Sequence, residues 1–144
     1  MIIGPFRGEY FYLSNFYICP IKLNGVVYPS VEHAFQAAKT TDSKIRQKIC
    51  LATTPGRAKR LGNAIILRPG WEEMKVSTMR GLVKQKFNSD PHLAKQLKAT
   101  MGKILIEKNW WHDNFWGWCT CFDCMAQKHR NFLGKILMSV RDLL

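Results

Sequence analysis

The spacing of apolar and polar residues changes period near residue 30. Before that point aromatic and β-branched residues dominate. Glu9–Leu13 (EYFYL) is aromatic-rich, and the run IKLNGVVYP sets Asn24-Gly25 between two β-rich stretches. An Asn-Gly pair in that setting predicts a two-residue hairpin, because both positions tolerate positive φ. The first thirty residues are therefore expected to form strands. From Pro29 onward the spacing is helical. Ser30 is placed to cap Val31–Thr40, and Thr41 or Asp42 to cap Ser43–Ala52; Thr54-Pro55 opens Gly56–Leu61, and Asp90-Pro91 opens His92–Thr100. The longest periodic segment is Trp71–Phe87, with Met74, Thr78, Leu82 and Val83 on one stripe and Lys and Arg opposite. Lys103–Glu107 (KILIE) is a short strand candidate, and Trp110–Lys128 reads as an aromatic, Cys-rich loop. Arg130–Leu144 closes the chain as an amphipathic helix with Leu133, Ile136, Leu137 and Val140 inward. With no repeat or linker, the expected architecture is α+β: a small antiparallel sheet packed with several α-helices in one domain, residues 1–144.

Composition narrows the function classes. Hydrophobic residues make up 47% and charged residues 22%, which excludes a disordered chain. No apolar run approaches the roughly 20 residues that cross a bilayer. The opening MIIGPFRGEY lacks the basic-then-apolar layout of a signal peptide. The expectation is a cytoplasmic protein with no membrane partner. Twenty-two Lys and Arg against ten Asp and Glu give +12, which favours anionic partners: nucleic acid, nucleotides or phosphorylated metabolites. A well-solvated basic surface carries the same charge, so charge alone does not choose among these. Oligomeric state is not set by any of these features.

The chemistry concentrates in Tyr28–Lys39, YPSVEHAFQAAK. At about 100° per residue, Val31, Ala34, Phe35 and Ala38 form an apolar face. Glu32, Gln36 and Lys39 form a second one, bringing a carboxylate, an amide and an amine to one side of a rigid element. The same spacing fits a solvent-facing stripe with an ordinary ion pair. Spacing leaves both readings open.

Five ordered motifs resemble the YbiA-like N-glycosidases, the NADAR superfamily. FRGEYFYLSNFY (residues 6–17) carries the family's LSNF signature, and YPSVEHAFQAAK agrees with its P-S/T-x-EH-x-F/Y-Q-A-x-K motif at each defining position. WEEMKVSTMRGLVKQKF looks like its middle helix, which ends in KF. DNFWG (113–117) and NFLGKILMSVRDLL (131–144) are similar to its C-terminal elements. The resemblance implies a YbiA-like fold and a hydrolase, needing no cofactor or metal, that cleaves N-glycosidic bonds between ribose and an amino group. Two substrate classes follow from it: phosphorylated ribosylamino-pyrimidine intermediates of riboflavin synthesis, and ADP-ribose on guanine, including guanine in nucleic acid. In both, the leaving nitrogen is exocyclic and keeps a hydrogen.

Such a glycoside can open to an imine that an amine attacks, so Lys39 is the expected Schiff-base nucleophile and Glu32 the proton-transfer group. Direct displacement by water with Glu32 as base, and Lys39 neutralising phosphate, is the alternative mechanism. Gln36, Asn15 and Phe16 of LSNF, Asp113, Trp116 and Asn131 are the expected substrate-binding residues; Arg7 and Arg130 are candidate phosphate contacts. An idle binding module for ADP-ribose or nucleic acid is the alternative function.

WCTCFDCMAQKH departs from the family's usual glycine-rich stretch. Cys119, Cys121 and Cys124 with His112 or His129 would supply four zinc ligands, but C-x-C-x-x-C lacks the paired CxxC units of a strong zinc signature. Reduced loop thiols are the default expectation, as they are for Cys19 and Cys50.

Overall fold

A computed structural model describes all residues, Met1–Leu144. The chain divides into two compact units: Asn15–Lys86, and Met1–Ser14 together with Phe87–Leu144.

The unit Asn15–Lys86 opens with an antiparallel hairpin. Its strands are β2 (Ile18–Leu23) and β3 (Val26–Ser30). Asn24 and Gly25 sit at φ 50° and 81° between the paired Leu23 and Val26, so the turn forms as the Asn-Gly signal predicts. Four helices follow: α1 (Val31–Ala37), α2 (Ser43–Cys50), α3 (Pro55–Asn63) and α4 (Trp71–Ser89). Ser30, Asp42 and Thr54 cap the first three by accepting backbone N–H bonds. Helix α1 lies against both hairpin strands, α2 and α3, and Phe35 meets Trp71 of α4 with ring centroids 5.2 Å apart. Every residue of α1 is buried. Helix α4 buries Trp71, Met79, Leu82 and Val83, whereas Met74 and Thr78 of the expected stripe are half-buried. Gln85 holds α4 to the edge of β2, its side-chain amide pairing with the backbone N–H and C=O of Lys22 at 2.6 and 2.8 Å.

The second unit contains two parallel pairs. Strand β1 (Ile2–Ile3) joins β4 (Ile104–Leu105), and β5 (Lys108–Asn109) joins β6 (Trp118–Cys119). Helix α5 (Pro91–Lys98) is capped by Asp90, and α6 (Phe132–Asp142) lies against β4 and α5. Leu133, Ile136, Leu137 and Val140 are buried as the period requires, with Leu93, Leu97 and Leu105 among the other core residues. Arg141 is also buried; its Nη1 donates to the carbonyls of Thr100 and Lys103, both at 2.8 Å.

The α+β class holds, with three two-stranded sheets of which one is antiparallel. Three local expectations fail. Trp110–Lys128, read as loop, carries β6 and a 3-10 turn at Phe122–Cys124. Gly8–Leu13 is a 3-10 helix rather than a strand. Gly8 takes φ 57°, Tyr10 N–H donates to Arg7 O, and the buried pair Tyr12 and Leu13 is consecutive rather than alternating. Helix α1 ends at Ala37 instead of Thr40. Its last carbonyls are taken by side chains from elsewhere: Arg46 Nε donates to the carbonyls of Ala37 and Thr40, and Arg68 Nη1 to that of Ala38. No helix is long and apolar enough to cross a membrane.

Candidate active site

Residues of α1 and the turn after it build the site. Pro29-Ser30 ends β3 in extended backbone, and Ser30 Oγ accepts from His33 N at 3.1 Å, which starts the helix one residue before Glu32. His33 is held at both ring nitrogens: Nδ1 lies 2.7 Å from Ser30 Oγ, and Nε2 lies 3.0 Å from the Ala52 carbonyl. A carbonyl only accepts, so Nε2 carries a proton. His33 therefore braces the helix start. The backbone N–H of Glu32 donates to Asn15 O at 3.1 Å, which brings the LSNF segment beside the catalytic candidate.

Glu32 is 7% exposed and accepts from Gln36 Nε2 at 2.8 Å. The other end of that amide, Gln36 Oε1, is buried with no hydrogen-bond partner. An orphan acceptor of this kind costs about 1–3 kcal/mol. Gly62 of α3 leaves it room, since a Cβ there would stand 1.8 Å from Oε1. The amide is thus fixed in orientation between its own helix neighbour and α3.

Lys39 lies outside the helix, in the turn beyond Ala38. The turn is fastened by Lys39 N–H donating to Gln36 O at 3.2 Å and Arg68 N–H donating to Lys39 O at 2.9 Å. The side chain is half-buried, and burial pushes its pKa below that of an ordinary lysine. Glu32 opposes the shift, while Lys59 and Lys75 add to it. The charges that act on Lys39 are thus one carboxylate and two ammonium groups. Lys75 is itself paired with Glu72 at 2.6 Å.

Among the other expected residues, Asn15 is nearly buried and donates from Nδ2 to Met79 Sδ at 3.4 Å; Phe16 is half-buried next to it in sequence. Arg7, Asp113, Trp116, Arg130 and Asn131 belong to the second unit. Arg7 stacks its guanidinium 4.1 Å over the Trp110 ring. Asp113 Oδ1 accepts from the backbone N–H of Phe115 and Trp116 at 3.1 and 3.0 Å, setting the turn that presents Trp116. Trp116 is half-buried and stands edge-on to Phe115 and Phe132. Arg130 is exposed, its backbone N–H bonded to Asn114 O. Asn131, at φ 49°, uses its side chain on the main chain: Oδ1 accepts from Glu107 N at 3.0 Å, and Nδ2 donates to Leu105 O at 2.9 Å.

Three contributors, and one further buried lysine, escape a reading of sequence spacing. Gly62, Lys59 and Lys75 approach α1 from α3 and α4, so only the tertiary fold reveals them. Lys86, in the KF pair that ends the middle-helix motif, had a signal. It is 2% exposed, its Nζ lies 5.2 Å from the Tyr17 ring centroid, and burial lowers its pKa to about 8.

The sequence family described as the NADAR domain matches residues 5–144. The chain belongs to the NADAR family. This NADAR chain is 36% identical over 138 residues to the N-glycosidase YbiA of Escherichia coli, covering 94% of this chain and 82% of that one. It is 37% identical over 133 residues to a riboflavin biosynthesis protein of Vibrio vulnificus, covering 91% of this chain and 35% of that protein, so it spans about a third of that relative. The NMR structure of E. coli YbiA superposes with a TM-score of 0.82 at 34% identity, covering 99% of this chain and 83% of YbiA.

Proposed function

We propose that this NADAR chain is a hydrolase that cleaves the bond between ribose C1 and an exocyclic amino nitrogen, by way of a Schiff base on Lys39. One observation carries the reading. A half-buried lysine with a lowered pKa is electrostatically coupled to a buried glutamate whose orientation a neighbouring amide fixes. Sequence relatives named N-glycosidase agree in reaction type.

The steps follow from the chemistry of an N–H glycoside. The nitrogen lone pair forms a C1=N bond as the C1–O4′ bond breaks, and the oxygen takes a proton from a neighbouring acid. Glu32 supplies and recovers that proton. Neutral Lys39 adds to C1, the former base nitrogen leaves as an amine after protonation, and C1=N to lysine remains. Water then adds, and the lysine departs from the ribose aldehyde. Lys39 must be neutral to attack, which burial and the two neighbouring ammonium groups favour. Lys59 and Lys75 serve a second purpose by attracting the substrate's phosphate. Gln36 orients the Glu32 carboxylate for proton transfer by donating to it from Nε2. Lys86, whose pKa burial lowers to about 8, is 2% exposed and closed off from substrate, so Lys39 is the nucleophile.

The substrate is a phosphorylated ribosylamino-pyrimidine or ADP-ribosylated guanine. The riboflavin name of the Vibrio relative supports the first, and the +12 charge fits an anionic partner of either kind, including nucleic acid. Released amine or base, measured side by side on both substrates and on ordinary nucleosides, tests the reading. The prediction is release from an N–H glycoside and none from ordinary nucleosides, whose glycosidic nitrogen has no hydrogen. Binding of ADP-ribose without release from any N–H glycoside would leave an idle binding module instead.

A further inference from the structure

In the loop Asn109–Asn131 three free cysteines converge on one histidine. His112 Nδ1 lies 3.3 Å from the sulfurs of both Cys121 and Cys124 and 4.0 Å from that of Cys119. The four donor atoms all fall within 4.8 Å of one another. Tetrahedral zinc with Zn–S near 2.3 Å and Zn–N near 2.0 Å requires S···N separations of about 3.5 Å and S···S separations of about 3.8 Å. The observed S···N distances bracket the first value, and the sulfurs lie within 4.8 Å of one another. Cys119 and Cys124 are buried, so two of the sulfurs stand away from water.

We propose that His112, Cys119, Cys121 and Cys124 form a structural zinc site. The donor set, three thiolates and one imidazole, is characteristic of closed structural zinc and leaves no open position for a substrate. Zn²⁺ displaces one proton from each of the three thiols, leaving a site of net charge −1 with neutral His112 bound through Nδ1. The alternative fourth ligand is accounted for. His129 Nδ1 is 2.7 Å from Asn114 Oδ1, and its ring stacks on Trp118 at 4.4 Å and 8°.

The surroundings hold the donors in place before any ion arrives. His112 takes φ 69°, a left-handed conformation that carries a cost for a residue with a Cβ and that turns its ring back toward the cysteines. Asn109 Oδ1 accepts from the N–H of Trp111 and of Asp113, bracketing His112 on both sides. Asn114 Oδ1 accepts from Cys119 N at 2.8 Å. Bound zinc would tie the chain after β5 to β6 and to the short 3-10 turn Phe122–Cys124, closing the loop that contains Asp113 and Trp116.

Metal analysis of the full chain, purified with neither added metal nor chelator, tests this. The expected result is about one zinc per chain, retained in a Cys19→Ser, Cys50→Ser double variant and in His129→Ala, and lost from Cys121→Ser. Cys121 is the least buried of the three cysteines, so this replacement disturbs packing least. A second measurement needs no variant: cobalt added to metal-free protein should give the intense thiolate-to-metal charge-transfer absorption of a tetrahedral site. Zinc well below stoichiometric with no cobalt absorption overturns the proposal, as does a metal that survives Cys121→Ser or leaves with His129→Ala.

Discussion

Helix α1 and the loop Asn109–Asn131 both gather polar side chains, but they satisfy them differently. In the loop, Asn109, Asp113, Asn114 and Asn131 direct side-chain atoms at backbone groups, and these bonds define the loop's path. In α1, Glu32 and Gln36 bond to each other, and Gln36 retains a buried acceptor with no partner. Polar groups whose bonds close internally hold structure; a buried acceptor kept without a partner marks a segment shaped for something besides stability. We propose on this basis that α1 carries the chemistry and that the loop asparagines serve as scaffold.

The largest effect should come from Lys39→Arg. A Schiff base cannot form on a guanidinium, so activity should fall to background with the fold intact by circular dichroism. Substantial residual activity would favour the electrostatic role and direct attack by water. Asn131→Ala should act on the other side of the comparison. It strands Glu107 N–H and Leu105 C=O and places alanine at positive φ, for a loss of about 3 kcal/mol in chemical denaturation. A stable variant with a raised KM would move Asn131 from scaffold to ligand contact.

Glu32→Gln should slow turnover about a hundredfold or more, and its pH profile carries a sign. Glu32 raises the Lys39 pKa against the lowering by burial, so its removal lets that pKa fall further. The rise of rate with pH should therefore shift to lower pH in the variant. A shift to higher pH would contradict the coupling. Lys86→Met should give the smallest change, a stabilisation of about 2 kcal/mol at neutral pH. Lys86 has its pKa lowered to about 8 from 10.5 in the folded chain, so between those values the unfolded chain binds the extra proton. Wild-type stability should rise with pH across that window, and the advantage of the methionine variant should shrink there. Parallel curves for the two proteins would show that burial does not perturb Lys86.

Local signals in the sequence were strong enough to read much of this fold. Ser30, Asp42, Thr54 and Asp90 cap the helices assigned to them, and Asn24-Gly25 makes its turn, because those preferences arise from each residue's own backbone and side chain. What depends on distant partners was hidden. The early end of α1 comes from Arg46 and Arg68, and the β1–β4 pair joins residues about a hundred positions apart. EYFYL misled because aromatic residues favour strands only where the fold supplies a partner strand. In the site, Glu32 and Gln36 were legible from helical spacing, whereas Gly62, Lys59 and Lys75 come from other helices. Lys39 was legible as a residue, though not as part of a turn.

Borohydride trapping tests the central claim most directly. Sodium borohydride added during turnover of an N–H glycoside reduces a lysine imine to a stable amine. Peptide mass spectrometry should then find a ribosyl-phosphate or ADP-ribosyl adduct on Lys39, absent without substrate and absent from Lys39→Arg. Sustained turnover with no adduct, or an adduct on Lys86 in place of Lys39, would contradict the account.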